Sequence, residues 1–331
     1  MTRALLLDTP GPAATGPLRL VDRPSPAPGP GQLLVAVAAC GVCRTDLQLV
    51  EGDLPRHRSP VVPGHQVVGR VTAAGTGCHH AVGDRVGVTW LGGVCGHCEF
   101  CVAGQENLCA AATFHGWDHD GGYTDEMVVA DGFAFRIDTD RPDAEVAPLL
   151  CAGVIGHRAL RATGTRAGQR LGLYGFGSSA ALVLQLASAQ GLQVHVATRS
   201  QVEQARASSM GAGSVGGYDQ APPAPLHGAI TFAPVGTVVI DALRAVRRGG
   251  TVVINAIHLD EIPAFDYDLL WHERTLRSVA NVTRSDIREL LALDAQLRLR
   301  VDHRTYPLAD ANQALADLAD GSIGGSGVLI P

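Results

Sequence analysis

Lysine is absent, and all 26 basic residues are arginine. That excludes a Schiff-base lysine and the lysine of a P-loop, so amine-based covalent catalysis and Walker-type phosphate binding are closed to this chain. Long apolar runs are also missing, since none approaches the roughly 18 to 20 residues a membrane helix needs. The opening MTRALLLDTPGPAATG has one Arg and a very short apolar stretch, less than a secretory leader requires, which makes cytoplasmic the expected location. There is no basic block, and a formal net charge of -6 argues against nucleic acid or an anionic membrane as the main partner. A small molecule is expected instead. With 331 residues and 46% hydrophobic content, the chain is long enough for about two domains, each with its own core.

Half of the eight cysteines fall in one stretch, GVCGHCEFCVAGQENLC, as Cys95-x2-Cys98-x2-Cys101-x7-Cys109. Thiolates two residues apart can converge on one ion, and four of them suit tetrahedral zinc. A disulfide knot is disfavoured in a reducing compartment. An iron–sulfur cluster is the stronger competitor, because Cys-x2-Cys-x2-Cys also occurs in ferredoxins, although no Pro follows Cys109 here. Four protein sulfurs would close the coordination sphere, so this site is expected to be structural. Chemistry then needs a second site.

Three further candidate ligands are scattered along the chain: Cys43 in ACGVCRTDL, His65 in PVVPGHQVVGRV and Cys151 in APLLCAGVIGHRAL. Singly, such a Cys is more often a small core residue and such a His a satisfied loop residue. Together with Gly-Val-Cys-x-Thr-Asp at 41 to 46, Gly-His at 64 and 65, the four-cysteine lobe and DGGYTDE at 120 to 126, they form an ordered pattern. That pattern resembles the zinc-dependent alcohol dehydrogenases of the medium-chain dehydrogenase/reductase superfamily, nearly end to end.

The resemblance implies a catalytic zinc on Cys43, His65 and Cys151 and a structural zinc on Cys95, Cys98, Cys101 and Cys109, two per chain. Water or a substrate oxygen would take the catalytic ion's fourth position. Asp46 resembles the carboxylate that takes the other ring N–H of His65, its plain alternative being a turn cap. Thr45 resembles the family's proton-relay hydroxyl, and Arg44 the basic residue that meets the cofactor pyrophosphate. Two departures stand out: Gln48 lies near the place where some members end the relay in His, and Gln66 follows the ligand His where Glu is common. Losing that nearby negative charge could make the zinc more electrophilic.

From about residue 170, short apolar runs alternate with amphipathic ones: RLGLYGF, SSAALVLQLASAQ, QVHVAT, QVEQARASSMGA, AITFAP, VVIDALRAVRR and TVVINAI. Such alternation predicts a parallel, doubly wound sheet. YGFGSSA places Gly175 and Gly177 at the first two positions of G-x-G-x-x-G/A, with Phe176 and Ser178 in the same turn and Ala180 in the third place. An acidic residue at the end of the second strand would accept the ribose 2′-OH of NAD. Thr198 falls there, followed by Arg199, a pair that suits the 2′-phosphate of NADP. NADP(H) is favoured and NAD(H) remains open.

The expected fold is α/β: a GroES-like, mainly-β catalytic domain at 1–146 and 297–331, with an inserted Rossmann domain at 147–296. The active-site cleft is expected between them, and Trp90, His115, Trp117 and Trp271 are candidates for the substrate pocket, core packing being equally open for the three Trp. The resemblance implies an alcohol dehydrogenase or aldehyde reductase acting on a small alcohol or aldehyde as a homodimer or homotetramer, and Thr198 with Arg199 points to NADP(H) as its cofactor. Rival readings are a zinc-containing reductase of an activated C=C or C=N bond and a non-catalytic zinc module. Retention of Thr45 favours oxygen chemistry over the first, and the acidic balance with a second, open ligand set counts against the other.

Overall fold

The structure is a computed structural model and describes residues 1–256 and 258–331. β1 (Thr2–Leu7) pairs antiparallel with β2 (Leu18–Arg23). The apolar run QLLVAVAACGV makes β3 (Gln32–Val42), which leads directly into α1 (Arg44–Glu51). β4 (Gln66–Ala74) returns antiparallel to β3, and β5 (Arg85–Val88) pairs with β4.

β6 (Leu91–Gly93) and β7 (Thr113–Phe114) form a short ribbon that brackets the four-cysteine stretch. Within that stretch, regular structure is limited to one-turn α2 (Glu99–Val102) and a 3-10 turn at Glu106–Leu108. β8 (Glu126–Ala130) pairs with β3, β9 (Ala134–Arg136) pairs with β5, and α3 (Asp143–Val146) follows.

α4 (Ala152–Ala162) opens the second architecture. It continues through β10 (Arg170–Tyr174), α5 (Ser178–Ala189), β11 (Gln193–Ala197), α6 (Gln201–Ser209), β12 (Ser214–Gly216), β13 (Leu226–Thr231), α7 (Gly236–Ala245), β14 (Val246–Ile254) and β15 (Thr275–Ser278). All six strands run parallel in the order β12-β11-β10-β13-β14-β15, the order of a doubly wound nucleotide-binding sheet. The last helical segment read from the sequence is corrected here. VVIDALRAVRR stops being helical at Ala245, and Val246, Arg247 and Arg248 belong to β14. Leu226 pairs with Val246 before the register shifts, and Gly249 at φ 68 absorbs the irregularity. TVVINAI forms the rest of β14 as far as Ile254, and its Ile257 lies outside the described residues.

The chain then adds α8 (Arg284–Leu297), β16 (His303–Pro307), α9 (Ala311–Asp320) and β17 (Ser326–Ile330). β17 pairs antiparallel with β3, and the larger sheet reads β16-β17-β3-β4-β5-β9. Two compact units result: Met1–Cys151 with Asn281–Gln296 and Val301–Pro331, and Ala152–Ala280 with Leu297–Arg300. Most of α8 thus packs with the first unit, whereas a sequence split at 296 and 297 assigns it to the insert. Arg141 donates to Asp294 and Arg284 to Glu106, both contacts within the first unit. Its core joins Leu33, Val35 and Val67 to Leu315 and Leu329 from the returning segment. No helix among the described residues is long and apolar enough to cross a membrane.

Candidate active site and metal centres

β3 delivers Cys43 to the position preceding α1, where helices ordinarily place Ser, Thr, Asp or Asn. The thiol takes that capping role, accepting from the backbone N–H of Thr45 at 3.4 Å, while the Cys43 N–H donates to Asp46 Oδ2 at 3.0 Å. Asp46 Oδ1 also accepts from the Gly64 N–H and from His65 Nδ1, both at 3.2 Å. One buried carboxylate therefore ties the Cys43 turn to the His65 loop. Replacing such an acceptor would leave buried donors unpaired, at about 1–3 kcal/mol for each group. Gly64 has φ 99, and a Cβ there would lie 2.4 Å from Tyr123 Cδ1, so the loop needs glycine.

With Nδ1–H given to Asp46, His65 Nε2 faces Cys43 Sγ at 3.3 Å. Cys151, at the end of the 3-10 turn Ala147–Leu150, completes the group. The ligand atoms of Cys43, His65 and Cys151 all lie within 4.8 Å of one another. Cys43 is drawn well below the usual thiol range by its hydrogen bond with Cys151, against burial and with help from His65. Cys151 is pushed up by the same hydrogen bond and by burial. Burial opposes a charge on His65, yet Cys43 and Asp46 outweigh it and raise its pKa. Burial lifts the Asp46 carboxyl above its ordinary value, with His65 pulling the other way. Two soft donors and an oriented imidazole, with no fourth protein ligand in the group among the described residues, match the donor set of an open zinc site. Bond lengths of roughly 2.3 Å to sulfur and 2.0 to 2.1 Å to nitrogen put tetrahedral S and N about 3.5 Å apart, close to the observed separation.

The four-cysteine cluster has all ligand atoms within 4.8 Å of one another, and Cys95 Sγ lies 3.9 Å from Cys101 Sγ. Tetrahedral zinc requires about 3.8 Å between sulfurs, whereas a disulfide needs about 2.05 Å. All eight cysteines are free. Backbone N–H groups of His97 and Cys98 draw Cys95 down to about 6, and desolvation pushes Cys101 up to about 12. One thiol is thus already biased toward the thiolate form a metal needs.

In the first turn of α1, Arg44 is exposed and Thr45 buried. Gln48 sits in the same helix, and buried Gln66 packs where a Cβ on Gly41 would meet its Oε1 at 2.8 Å. The Trp90 ring lies 5.9 Å from His65 and begins an aromatic array with Phe114 at 4.7 Å and Trp117 at 5.9 Å. His57 stacks on Trp117 at 3.9 Å. Phe114 and His57 escaped sequence reasoning because neither belongs to a spaced motif. His115 is buried beside this array, donates Nδ1–H to the Thr89 carbonyl and is held neutral by burial, its pKa lowered to about 4. Trp271 belongs to the second unit, is 52% exposed and contacts Tyr267.

In that second unit, Gly175 follows β10 with φ 96, and its absent Cβ would come 2.9 Å from the Ala233 nitrogen beyond β13. It stands where strand order reverses, the crevice in which doubly wound sheets bind nucleotides. Phe176 is buried, with the Arg206 guanidinium 5.5 Å from its ring. Gly177 precedes α5, a Cβ there would meet nothing within 4 Å, and Ser178 begins the helix. That leaves open space at the helix N-terminus for an anion. Thr198 is buried just past β11, its N–H bonded to the Gly216 carbonyl and its own carbonyl to Gln204, while Arg199 is exposed. Tyr218 stands beside both and was not visible from the motif.

Residues 29–139 match the alcohol dehydrogenase GroES-like domain. The chain is 48% identical, over 97% of its length and 95% of the relative, to a Mycobacterium tuberculosis protein named probable alcohol dehydrogenase AdhA. The chain belongs to the zinc-type alcohol dehydrogenase family. A cobalt- and zinc-bound thermostable alcohol dehydrogenase from Pyrobaculum aerophilum superposes with a TM-score of 0.89 at 26% identity, covering 100% of this chain and 99% of that one. A structure from Sinorhizobium meliloti 1021, described as a zinc-binding dehydrogenase bound to NADP, matches at 0.90 and 26% with the same coverage. As a member of this family, the protein is an oxidoreductase of alcohol dehydrogenase type, built on an α/β fold with a GroES-like unit and a nucleotide-binding sheet.

Proposed function

We propose that this protein is a zinc-dependent, NADP(H)-preferring alcohol dehydrogenase or aldehyde reductase. The observation that carries the reading is the convergence of Cys43, His65 and Cys151 as an open donor set, separate from the closed four-cysteine cluster. Zinc held by these three residues would supply Lewis-acid polarisation of a substrate oxygen. Asp46 keeps the proton on His65 Nδ1 and leaves the Nε2 lone pair facing the donor set. The Thr45 N–H and the start of α1 hold the Cys43 sulfur in place. In alcohol oxidation the substrate O–H proton leaves to the Thr45 hydroxyl oxygen, whose own proton passes outward. A nicotinamide cofactor, when bound, would supply the acceptor for the hydride released from the carbinol carbon. Carbonyl reduction reverses each step.

For the cofactor, Gly175 and Gly177 bring backbone close to the pyrophosphate at the start of α5, with the Phe176 and Ser178 backbone in the same turn. By the family resemblance, Arg44, exposed at the start of α1, is the cation for the pyrophosphate. Thr198 offers no carboxylate to repel a 2′-phosphate, and exposed Arg199 provides a cation for it. The preference rests on Thr198 and Arg199, and the NADP-bound neighbour shows only that this fold accommodates NADP. A panel of alcohols and aldehydes assayed by nicotinamide absorbance with NADPH and NADH tests the proposal. Turnover of none of them by a zinc-loaded protein would sink it.

A further inference from the structure

Tyr123, in the DGGYTDE stretch, is fully buried and has a phenol oxygen with no aligned hydrogen-bond partner. Buried Tyr hydroxyls ordinarily find an acceptor. The ring is fixed from two sides. Its backbone N–H donates to the Pro63 carbonyl and its carbonyl accepts from Leu5, both at 2.9 Å, and its face rests on Gly64, the residue before His65. Burial, followed by the nearby charges of Asp46, Cys40 and Cys43, holds the phenol well above its usual pKa, so it is a donor and never a phenolate.

Asp46 supplies the matching vacancy in hydrogen bonding. An ionised carboxylate offers about four lone-pair positions. Three are used, by Cys43 N, Gly64 N and His65 Nδ1. A buried carboxylate with one acceptor position unused thus lies among the neighbours that act on a buried hydroxyl making no hydrogen bond. We infer that Tyr123 is a positioning residue whose hydroxyl becomes the fourth donor to Asp46, fixing the carboxylate that orients His65. Its ring holds the Gly64–His65 loop by contact, and its hydroxyl holds the same loop through Asp46. Removing the hydroxyl lets Asp46 turn, and His65 Nε2 is then aimed less firmly at Cys43 and Cys151.

This inference rests on the reading of Cys43, His65 and Cys151 as a metal site, and the experiment separates the two. Zinc affinity of each site is measured by competition with a chelator in wild type and in Tyr123→Phe, which keeps the ring on Gly64. Removing a ligand's own hydrogen-bond partner typically costs about 10- to 100-fold in metal affinity, and loosening that partner through Tyr123 falls at the low end of this range. The expected result is a loss of about tenfold at the three-ligand site, with the four-cysteine site unchanged and kcat reduced more than the KM for cofactor. Affinity within about twofold of wild type would overturn the inference. The same comparison in an Asp46→Asn background is the second arm: the effect of Tyr123→Phe should disappear there, and its persistence would show that the hydroxyl does not act through Asp46. This arm also serves if Tyr123→Phe alone lowers stability, because a packing defect would persist in both backgrounds. A wild-type chain holding metal only at the four-cysteine cluster would overturn the metal-site reading itself, and this inference with it.

Discussion

Arg284 grips Glu106 with three hydrogen bonds, from its backbone N and Nε to Oε1 at 2.8 and 2.9 Å and from Nη2 to Oε2 at 2.7 Å. The two residues are 178 positions apart, so the first residue of α8 is fastened to the four-cysteine lobe by a bidentate pair. The guanidinium also lies 5.0 Å from the centroid of the Phe133 ring.

Glu106→Gln should lower stability by about 1–3 kcal/mol, because a charge-assisted pair is replaced by weaker amide contacts. Arg284 holds the Glu106 carboxyl below its usual value. A depressed carboxylate contributes stability that is complete above its unfolded pKa and fades as pH falls through the lower folded value. Thermal melts should therefore show the full gap between wild type and variant near neutral pH and a narrowing gap below about pH 4. An unchanged gap at acid pH would mean the pair's charge is not what stabilises the contact.

Metal content should separate the two cysteine sites. Cys43→Ala should keep about one zinc per chain and a folded structure while losing turnover, whereas Cys98→Ala should chiefly lose stability. Elemental analysis and thermal melts together check this. Iron in the lobe, or full activity in Cys43→Ala, contradicts the assignment.

Cofactor choice should follow the end of β11. Wild type should favour NADPH, and Thr198→Asp combined with Arg199→Ile should move the ratio of kcat/KM values toward NADH. A wild type that already favours NADH would reduce Arg199 to a solvent-facing charge.

Thr45→Val removes one hydroxyl and keeps the side-chain shape, so zinc and cofactor binding should persist while alcohol oxidation falls about 10² to 10⁴-fold, the usual range for a general acid–base group. Thr45→Ser should recover most of the rate. If Thr45→Val stays within a few-fold of wild type, the proton leaves by another route and reduction of an activated C=C or C=N bond regains ground.

The sequence by itself determined the alternation of the second unit and the turn at Gly175. Short apolar strands and phosphate-binding glycines are local features with fixed spacing, so they can be read without knowing what lies across the sheet. It also marked Cys95, Cys98, Cys101 and Cys109, whose ligand atoms are brought together over a few turns of chain. Local pattern misassigned Val246 to Arg248, since the same residues suit the end of a helix and the start of a strand until pairing with Leu226 decides. Tertiary structure alone put most of α8 with the first unit, through Glu106–Arg284 and Arg141–Asp294, and alone revealed that Asp46, expected from sequence as the partner of His65 or as a turn cap, does both at once and also takes the Gly64 N–H. Tyr123 looks like any strand-flanking aromatic until the fold buries its hydroxyl. Hydrogen bonds between residues tens to hundreds of positions apart leave no periodic trace in a single sequence, because only closure of the chain brings donor and acceptor together.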